Sequence, residues 1–260
     1  MNKTIFFFWY QGIENAPIIV KKCLKSWKYY NPSWEVVFLD NNNYLLFLSL
    51  YDISIMNYIR NNKNFSLYKI SDILRLLLLF TNGGLWVDAT CFCNDSLDNW
   101  LPLFINERFF VFNNLTPINK KISNWFIYSE KRHYMIEKWK IKSLEYFNDF
   151  PKQFNDNYFI FHDIFENLCN NDPKFSSYYD KIPKNTQNDY LMYFNFDKRR
   201  DLYIESNGFL SPVTEEIKNM VLKKEKYLFK LSHKCILPSN EELNSSILYY
   251  LFSTIDTKQT

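Results

Sequence analysis

Glycine and alanine are scarce in this 260-residue chain, which contains 4 glycines and only two alanines, Ala16 and Ala89. This scarcity excludes collagen-like and glycine-rich low-complexity proteins. Hydrophobic residues make up 47% and charged residues 23%, as in ordinary globular chains, whereas aromatic residues reach 20%. A chain of this length forms one large domain or two small ones, and it can bury a large core without disulfides or structural metals.

Paired cysteines and a strong excess of charge are also absent. The five cysteines are odd in number, widely scattered and without the C-x2-C spacing of a zinc site, which predicts reduced thiols and a cytoplasmic protein. A formal net charge of +3 is too small to indicate wrapping by nucleic acid, so we expect no nucleic-acid partner. No nucleophile elbow, P-loop or Gly-x-Gly-x-x-Gly pattern occurs, which argues against hydrolase and dinucleotide-binding classes.

Long apolar runs are missing as well. The amino-terminal run from Ile5 to Trp9 is shorter than the core of a signal peptide. The run from Ile73 to Phe80 contains Arg75 and is far shorter than the roughly twenty residues of a membrane span. We therefore expect a soluble chain, at most peripheral at the inner face of the plasma membrane.

The first ninety residues alternate between strand and helix patterns. Strands are predicted over Thr4–Trp9, Trp34–Leu39 and Leu85–Val87. A helix is predicted between Pro17 and Asn31, and another along the apolar stripe from Leu67 to Leu77, which ends at the Gly83-Gly84 pair. Such alternation is the signature of an α/β fold with a mostly parallel sheet.

The rest of the chain gives a weaker pattern. Helices are predicted over 133–147 and 157–168, and the last eighty residues are expected to form covering helices and loops. His162 lies within the second of these helices, where a lone histidine is commonly a satisfied core residue, and a site role is the less favoured alternative.

Polar residues follow the predicted strands. Trp9, Asp40 and Asp88 stand at carboxyl ends of strands, where parallel sheets bind ligands. Asp72 and Arg75 lie three residues apart on one face of an apolar helix, so they are either a structural ion pair between helix and sheet or a pair that faces a ligand. Asp88 is either a turn residue or a carboxylate ligand for a hard divalent cation in diphosphate chemistry.

These residues resemble a known family, the capsular polysaccharide synthesis glycosyltransferases. The resemblance is carried by Phe8-Trp-Tyr-Gln-Gly12 with Asn15-Ala-Pro17, by Asp72-x-x-Arg75, and by Gly83-Gly84 with Asp88. It continues more loosely through 122–126, 156–162 and 230–234. The family is related to the DXD sugar transferases, the Och1-like mannosyltransferases and the clostridial glucosylating toxins.

The resemblance implies a single domain of GT-A fold over residues 1–260, with a nucleotide-sugar-binding half over residues 1–112 and a helical acceptor-side half over 113–260. It implies a retaining enzyme that uses Mn²⁺ or Mg²⁺ and a nucleotide sugar, with a UDP-sugar as the default donor. By position, Trp9 would stack on the nucleobase, and Asp72, Arg75 and Asp88 would form the catalytic set. The remaining residues expected to contact the donor are Gln11, Gly84, Thr90 and Asn124.

One position departs from the family's usual motif. Thr90 occupies the place of the second acidic residue after Asp88, so the metal would have fewer protein carboxylates, with diphosphate, water or a late histidine as its other ligands. His233 is the candidate for that histidine. Lys230, Lys234 and His233 are also candidates for stabilising the leaving diphosphate, or they belong to a solvated basic surface.

The function expected from the sequence is transfer of a hexose to a growing capsular or surface polysaccharide repeat unit carried by a lipid. Lysines from Lys218 to Lys234 could attract an anionic membrane or a diphosphate lipid. The alternative is a nucleotide- or carbohydrate-binding module without turnover, in which Thr90 marks the loss of activity. An RNA-binding role lacks a recognition motif.

Overall fold

A computed structural model describes seven stretches of the chain: residues 1–49, 66–115, 120–148, 157–184, 191–193, 208–233 and 244–256. The chain forms two compact units. The first contains Met1–Asn15, Trp34–Asp88 and Leu103–Asn185, and the second contains Ala16–Ser33, Ala89–Pro102 and Thr186–Thr260. The predicted division at residue 112 stays a prediction.

The secondary structure follows the chain in this order: β1 Thr4–Phe8, α1 Ile18–Tyr30, β2 Glu35–Leu39, α2 Tyr44–Ser49, α3 Leu67–Asn82, β3 Gly84–Asp88, β4 Cys91–Cys93, α4 Leu97–Phe104, β5 Phe109–Leu115, β6 Lys120–Ser129, α5 Tyr134–Asn148, α6 Ile160–Asn171, α7 Pro173–Asp180, β7 Leu191–Tyr193, a 3₁₀ turn Gly208–Leu210, α8 Glu215–Leu222, β8 Leu228–Lys230 and α9 Ile247–Asp256.

The first unit is built on a five-stranded sheet with strand order β2-β1-β3-β6-β5. Strands β1, β2 and β3 run parallel, and β6 and β5 complete the sheet as antiparallel strands. The last four residues of β1 and the first four residues of β3 are buried. These continuous apolar strands match the pattern that predicted a parallel layer covered on both faces.

Helix α3 confirms the predicted buried helix and its stop signal. Its backbone ends at Gly83, whose φ of 71° lies in the left-handed region. Gly84 follows with a φ of 107°, and a Cβ placed there would lie 2.6 Å from the carbonyl oxygen of Thr4. The glycine pair therefore lets the chain turn from α3 directly into the middle of the sheet.

The second unit contains a three-stranded sheet with order β4-β8-β7. Helix α1 packs on β4, since Trp27 Nε1 donates a hydrogen bond to the Cys91 carbonyl at 2.8 Å and Ser26 Oγ accepts one from the Cys93 amide at 2.9 Å. Strands in this unit pair residues that lie far apart in sequence, such as Cys91 with Lys230. Within the described part of the chain, no disulfide joins the cysteines.

The largest difference from the sequence analysis lies after residue 100. Helices α5 and α6 confirm the two predicted helices with boundaries shifted by one to three residues. Strands β5 and β6, however, form a long antiparallel pair where the sequence predicted none, and Asn124 lies in β6. None of the helices in the described ranges has both the length and the apolar character needed to cross a membrane.

Candidate functional site

The carboxyl ends of the parallel strands bring polar residues to one edge of the first unit's sheet. Phe8 pairs with Leu39 on one side and with Asp88 on the other. Trp9 therefore leaves the sheet beside Asp88, and its amide donates to the Leu39 carbonyl at 2.9 Å. This edge is the place where parallel α/β sheets bind their ligands.

A buried ion-pair cluster lies at this edge. Arg75 on α3 donates from Nη1 to Asp72 Oδ1 at 2.5 Å and from Nη2 to Asp88 Oδ1 at 3.3 Å. The side chains of Arg75 and Asp72 are 4% and 7% exposed, whereas that of Asp88 is 30% exposed. One guanidinium thus links a buried carboxylate on the helix to a carboxylate that solvent can reach.

Two aromatic rings hold the guanidinium of Arg75 in place. Its central carbon lies 5.1 Å from the ring centroid of Trp86 on β3 and 5.2 Å from that of Phe161 on α6. Trp86 also donates from Nε1 to Asp88 Oδ1 at 3.1 Å. The orientation of the Asp88 carboxylate is therefore set by two donors that the packed core immobilises.

The cluster has two carboxylates for one guanidinium, and burial favours protonation of Asp72. Desolvation raises the pKa of Asp72 to about 7, with a further increase from the neighbouring Asp88 charge and an opposing effect of Arg75. Burial thus favours the carboxylic acid form of Asp72, and in that form the side chain can donate a hydrogen bond.

Two more of the residues predicted to contact the donor, Asn124 and Gln11, lie near this edge of the sheet. Strand β6 runs antiparallel to β3 with Phe126 opposite Val87, so Asn124 lies at the same end of the sheet as Asp88. Gln11 is exposed in the turn that follows Trp9, where the Gly12 amide donates to the Trp9 carbonyl at 3.0 Å.

Gly84 does not lie with these residues. It begins β3, while Asp88 ends it, so the length of the strand separates them. Its neighbour across the sheet is the start of β1, where Thr4 leaves no space for a side chain. The structure gives Gly84 a packing role at the opposite end of β3, and its predicted donor contact stays a prediction.

Thr90 and Lys230 belong to the second unit, where they contact each other. Lys230 Nζ donates to Thr90 Oγ1 at 2.7 Å, and the Leu231 amide donates to the Thr90 carbonyl at 2.8 Å. Lys230 is 9% exposed, so it is not part of a solvated basic surface. His233, by contrast, is exposed, and Lys234 lies outside the described residues.

The described lysines from Lys218 to Lys230 differ in their contacts with the rest of the chain. Lys218 pairs with Glu215 at 2.7 Å, and Lys224 Nζ donates to the Tyr30 hydroxyl at 3.1 Å. With Lys230 buried, three lysines of the predicted cluster have internal partners. The predicted attraction of an anionic membrane gains no support from this segment.

Comparison with protein-family models decides the family. Residues 1–251 match the model described as capsular polysaccharide synthesis protein. The chain belongs to the capsular polysaccharide synthesis protein family. Membership of this family confirms the predicted relationship and the predicted enzyme class, a glycosyltransferase.

Solved structures extend the comparison of this capsular polysaccharide synthesis protein to the fold. The apo-form glycosyltransferase GlyE of Streptococcus pneumoniae TIGR4 aligns with 98% of the chain at 11% identity and a TM-score of 0.51. The chain spans 62% of the length of GlyE. This likeness confirms the predicted α/β fold of GT-A type.

Two further structures are less similar. The PaToxG Glycosyltransferase aligns with 99% of the chain and 86% of its own length at 14% identity, with a TM-score of 0.44. The UDP-bound glycosyltransferase domain from the YGT toxin aligns with 69% of the chain and 71% of its own length at 11% identity, with a TM-score of 0.38. Among curated proteins, none matches the chain.

Proposed function

We propose that this capsular polysaccharide synthesis protein is a retaining glycosyltransferase that moves a hexose from a UDP-sugar to a growing, lipid-linked capsular repeat unit. Family and fold support the reaction class. The observation that supports the location of the site is the arrangement of Arg75, which joins buried Asp72 to accessible Asp88 at the carboxyl edge of the parallel strands.

The reaction breaks the bond between the anomeric carbon and the diphosphate oxygen of the donor. In a retaining transfer, the acceptor oxygen bonds to the same face of that carbon, and the acceptor proton passes to the leaving diphosphate. Negative charge develops on the diphosphate and positive charge on the sugar ring. Fixed charges and donors stabilise this redistribution without the reorganisation that water would need.

The three charged residues have different roles in this proposal. Asp88 is the accessible group and would contact the donor, whereas Arg75 is buried and acts by fixing the orientation of Asp88. Asp72, with its raised pKa, holds a proton for part of the time near neutral pH and can then donate to a sugar hydroxyl.

A divalent cation is implied by the resemblance, and Asp88 is the residue that fits it. Mg²⁺ commonly binds through one or two carboxylates together with substrate phosphates. In the described ranges, no three His, Cys, Asp or Glu side chains group into a metal site, so the donor diphosphate would supply much of the coordination. Bound there, Mn²⁺ or Mg²⁺ would supply positive charge to the leaving diphosphate. The ligand role of His233 stays a prediction.

Two measurements test this proposal with a panel of UDP-glucose, UDP-galactose, UDP-N-acetylglucosamine and GDP-mannose, each with and without Mn²⁺. The first is the release of UDP or GDP, and the second is the shift in the melting temperature of the protein. We expect one UDP-sugar to stabilise the protein and to be hydrolysed slowly in a metal-dependent reaction. Asp88→Asn should lower this rate at least a hundredfold, since it removes a charge beside the reacting bond.

Asp172→Asn is the matched control, because Asp172 caps α7 by accepting from the Phe175 amide, and asparagine caps equally well. A rate that falls equally in both variants would contradict the site assignment. Stabilisation by a UDP-sugar without any turnover would instead favour the binding-module alternative, consistent with the engagement of Thr90 by Lys230.

A further inference from the structure

His162 is a buried polar side chain that the proposed mechanism does not use. It lies on α6 and is 5% exposed. Neither Nδ1 nor Nε2 of its ring has a hydrogen-bond partner among the described residues. A buried polar group without a partner costs about 1–3 kcal/mol, so such groups in native proteins call for an explanation.

The same unit contains a second buried histidine that shows the ordinary arrangement. His133 is 8% exposed, its Nε2 lies 2.9 Å from the Glu107 carbonyl oxygen, and its Nδ1 accepts from the Met135 amide at 3.3 Å. Both nitrogens of that ring are therefore satisfied within the fold. The core role expected for His162 from the sequence describes His133 better.

The surroundings of His162 connect it to the ion-pair cluster. The charged groups that affect the pKa of its ring are, in order of effect, Arg75, Lys120, Asp163 and Asp88. The residue before it, Phe161, stacks on the Arg75 guanidinium, whose Nε is also buried without a partner among the described residues. One of these unsatisfied groups is thus on Arg75 itself, and the other belongs to the residue that follows Phe161, whose ring packs on Arg75.

The protonation state of His162 indicates the kind of group it can bind. Burial, together with the positive charges of Arg75 and Lys120, lowers its pKa to about 4. At neutral pH the ring is uncharged and offers one donor and one acceptor. A sugar hydroxyl both donates and accepts, whereas a diphosphate would favour a cation.

We propose that His162 contacts the transferred sugar of the donor through a hydrogen bond to one of its hydroxyl groups, and does not contact the nucleotide or the diphosphate. This inference rests on the proposed function. It makes His162 a specificity residue on α6, separate from the Asp72-Arg75-Asp88 cluster on α3 and β3.

The experiment compares the affinity of the full chain for UDP and for the UDP-sugar that it hydrolyses, measured by calorimetry. His162→Phe removes both nitrogens in a place already lined by the Phe159 ring, whose centroid lies 5.8 Å away. We expect this variant to bind the UDP-sugar about tenfold more weakly while its affinity for UDP stays the same. Its melting temperature should not fall, because no internal hydrogen bond is lost.

His162→Gln keeps one donor and one acceptor, and we expect it to retain most of the UDP-sugar affinity; it also provides the comparison if the phenylalanine variant fails to fold. His133→Gln should lower the melting temperature and leave the ratio of the two affinities unchanged. Equal weakening of UDP and UDP-sugar by His162→Phe, or no weakening of either, would overturn this inference alone. Failure of the unaltered protein to bind any UDP-sugar would overturn the proposed function and this inference together.

Discussion

Replacing Arg75 by methionine tests the energetics of the ion-pair cluster. Methionine retains much of the length and apolar contact between the Trp86 and Phe161 rings but removes the charge that Asp72 and Asp88 share. Removing one partner of a buried pair leaves an uncompensated charge and costs about 3–5 kcal/mol. We expect a loss of this size in the free energy of unfolding at pH 8.

The stability that Arg75→Met loses should depend on pH, and the direction of this dependence follows from the pKa of Asp72. Its folded pKa of about 7 lies above its ordinary value of 3.8, so the folded protein binds the proton more tightly than the unfolded chain does. The contribution to stability is fully present below about pH 4 and is lost as pH rises toward 7. At about 1.4 kcal/mol for each unit of pKa, the stabilisation that the Asp72 proton provides at low pH is at most about 4 kcal/mol.

Without Arg75, the pKa of Asp72 rises further, and the pH range in which folded Asp72 is protonated extends to higher pH. We therefore expect Arg75→Met to cost only about 1–2 kcal/mol at pH 5, where Asp72 is protonated, and about 3–5 kcal/mol at pH 8. Urea unfolding followed by circular dichroism at both pH values measures the difference.

The double variant Asp72→Asn with Arg75→Met is the control, because it removes both charges of the closest pair. It should recover about 2 kcal/mol relative to Arg75→Met at pH 8 and lose most of the pH dependence. A cost below about 1 kcal/mol for Arg75→Met, equal at pH 5 and pH 8, would refute the account of a buried, charge-coupled cluster.

Two further substitutions test packing that the sequence left open. Gly84→Ala should lower the free energy of unfolding by about 2–4 kcal/mol in urea titrations, because the new Cβ would lie 2.6 Å from the Thr4 carbonyl oxygen at a positive φ; an unchanged stability would argue against this packing role. Lys230→Met should cost about 1 kcal/mol through its lost bond to Thr90, whereas the same change at exposed Lys223 should have less than about 0.5 kcal/mol of effect, and equal effects at both lysines would contradict the buried contact.

The parallel part of the sheet could be predicted from the sequence because its signals are local. Apolar runs at Ile5 and Leu85, the helical stripe from Leu67 and the Gly83-Gly84 stop each specify one element without reference to distant residues. Short connections then leave few alternatives to a βαβ arrangement. The strand ends at Trp9 and Asp88 followed from the same pattern, and so did their common edge.

Strands β5 and β6 could not be predicted in the same way. Their stretches are rich in aromatic residues, which occur in buried helices as well as in strands, so short apolar runs do not distinguish the two. In the second unit, β4 pairs with β8 from far along the chain, a contact that no local signal specifies.

Within the site, the sequence predicts which residues are present but not which partners their side chains contact. The spacing of Asp72 and Arg75 predicts a shared helix face, yet whether Arg75 also reaches Asp88 depends on how α3 packs on the sheet. The sequence favours a core role for His162 over a site role, because a histidine on an aromatic helix is usually satisfied in the core. Whether its nitrogens find partners depends on residues from other elements, and the sequence does not show that.

Hydrogen–deuterium exchange of the unaltered protein, with and without the UDP-sugar that it hydrolyses, tests the central claim most directly. If the donor binds at the carboxyl edge of the parallel strands, protection should appear in peptides that cover Trp9 to Gly12, Asp88 and the start of α6. Protection confined to segments without these residues, such as α8 or α9, would contradict the assignment of the donor site to the Asp72-Arg75-Asp88 cluster.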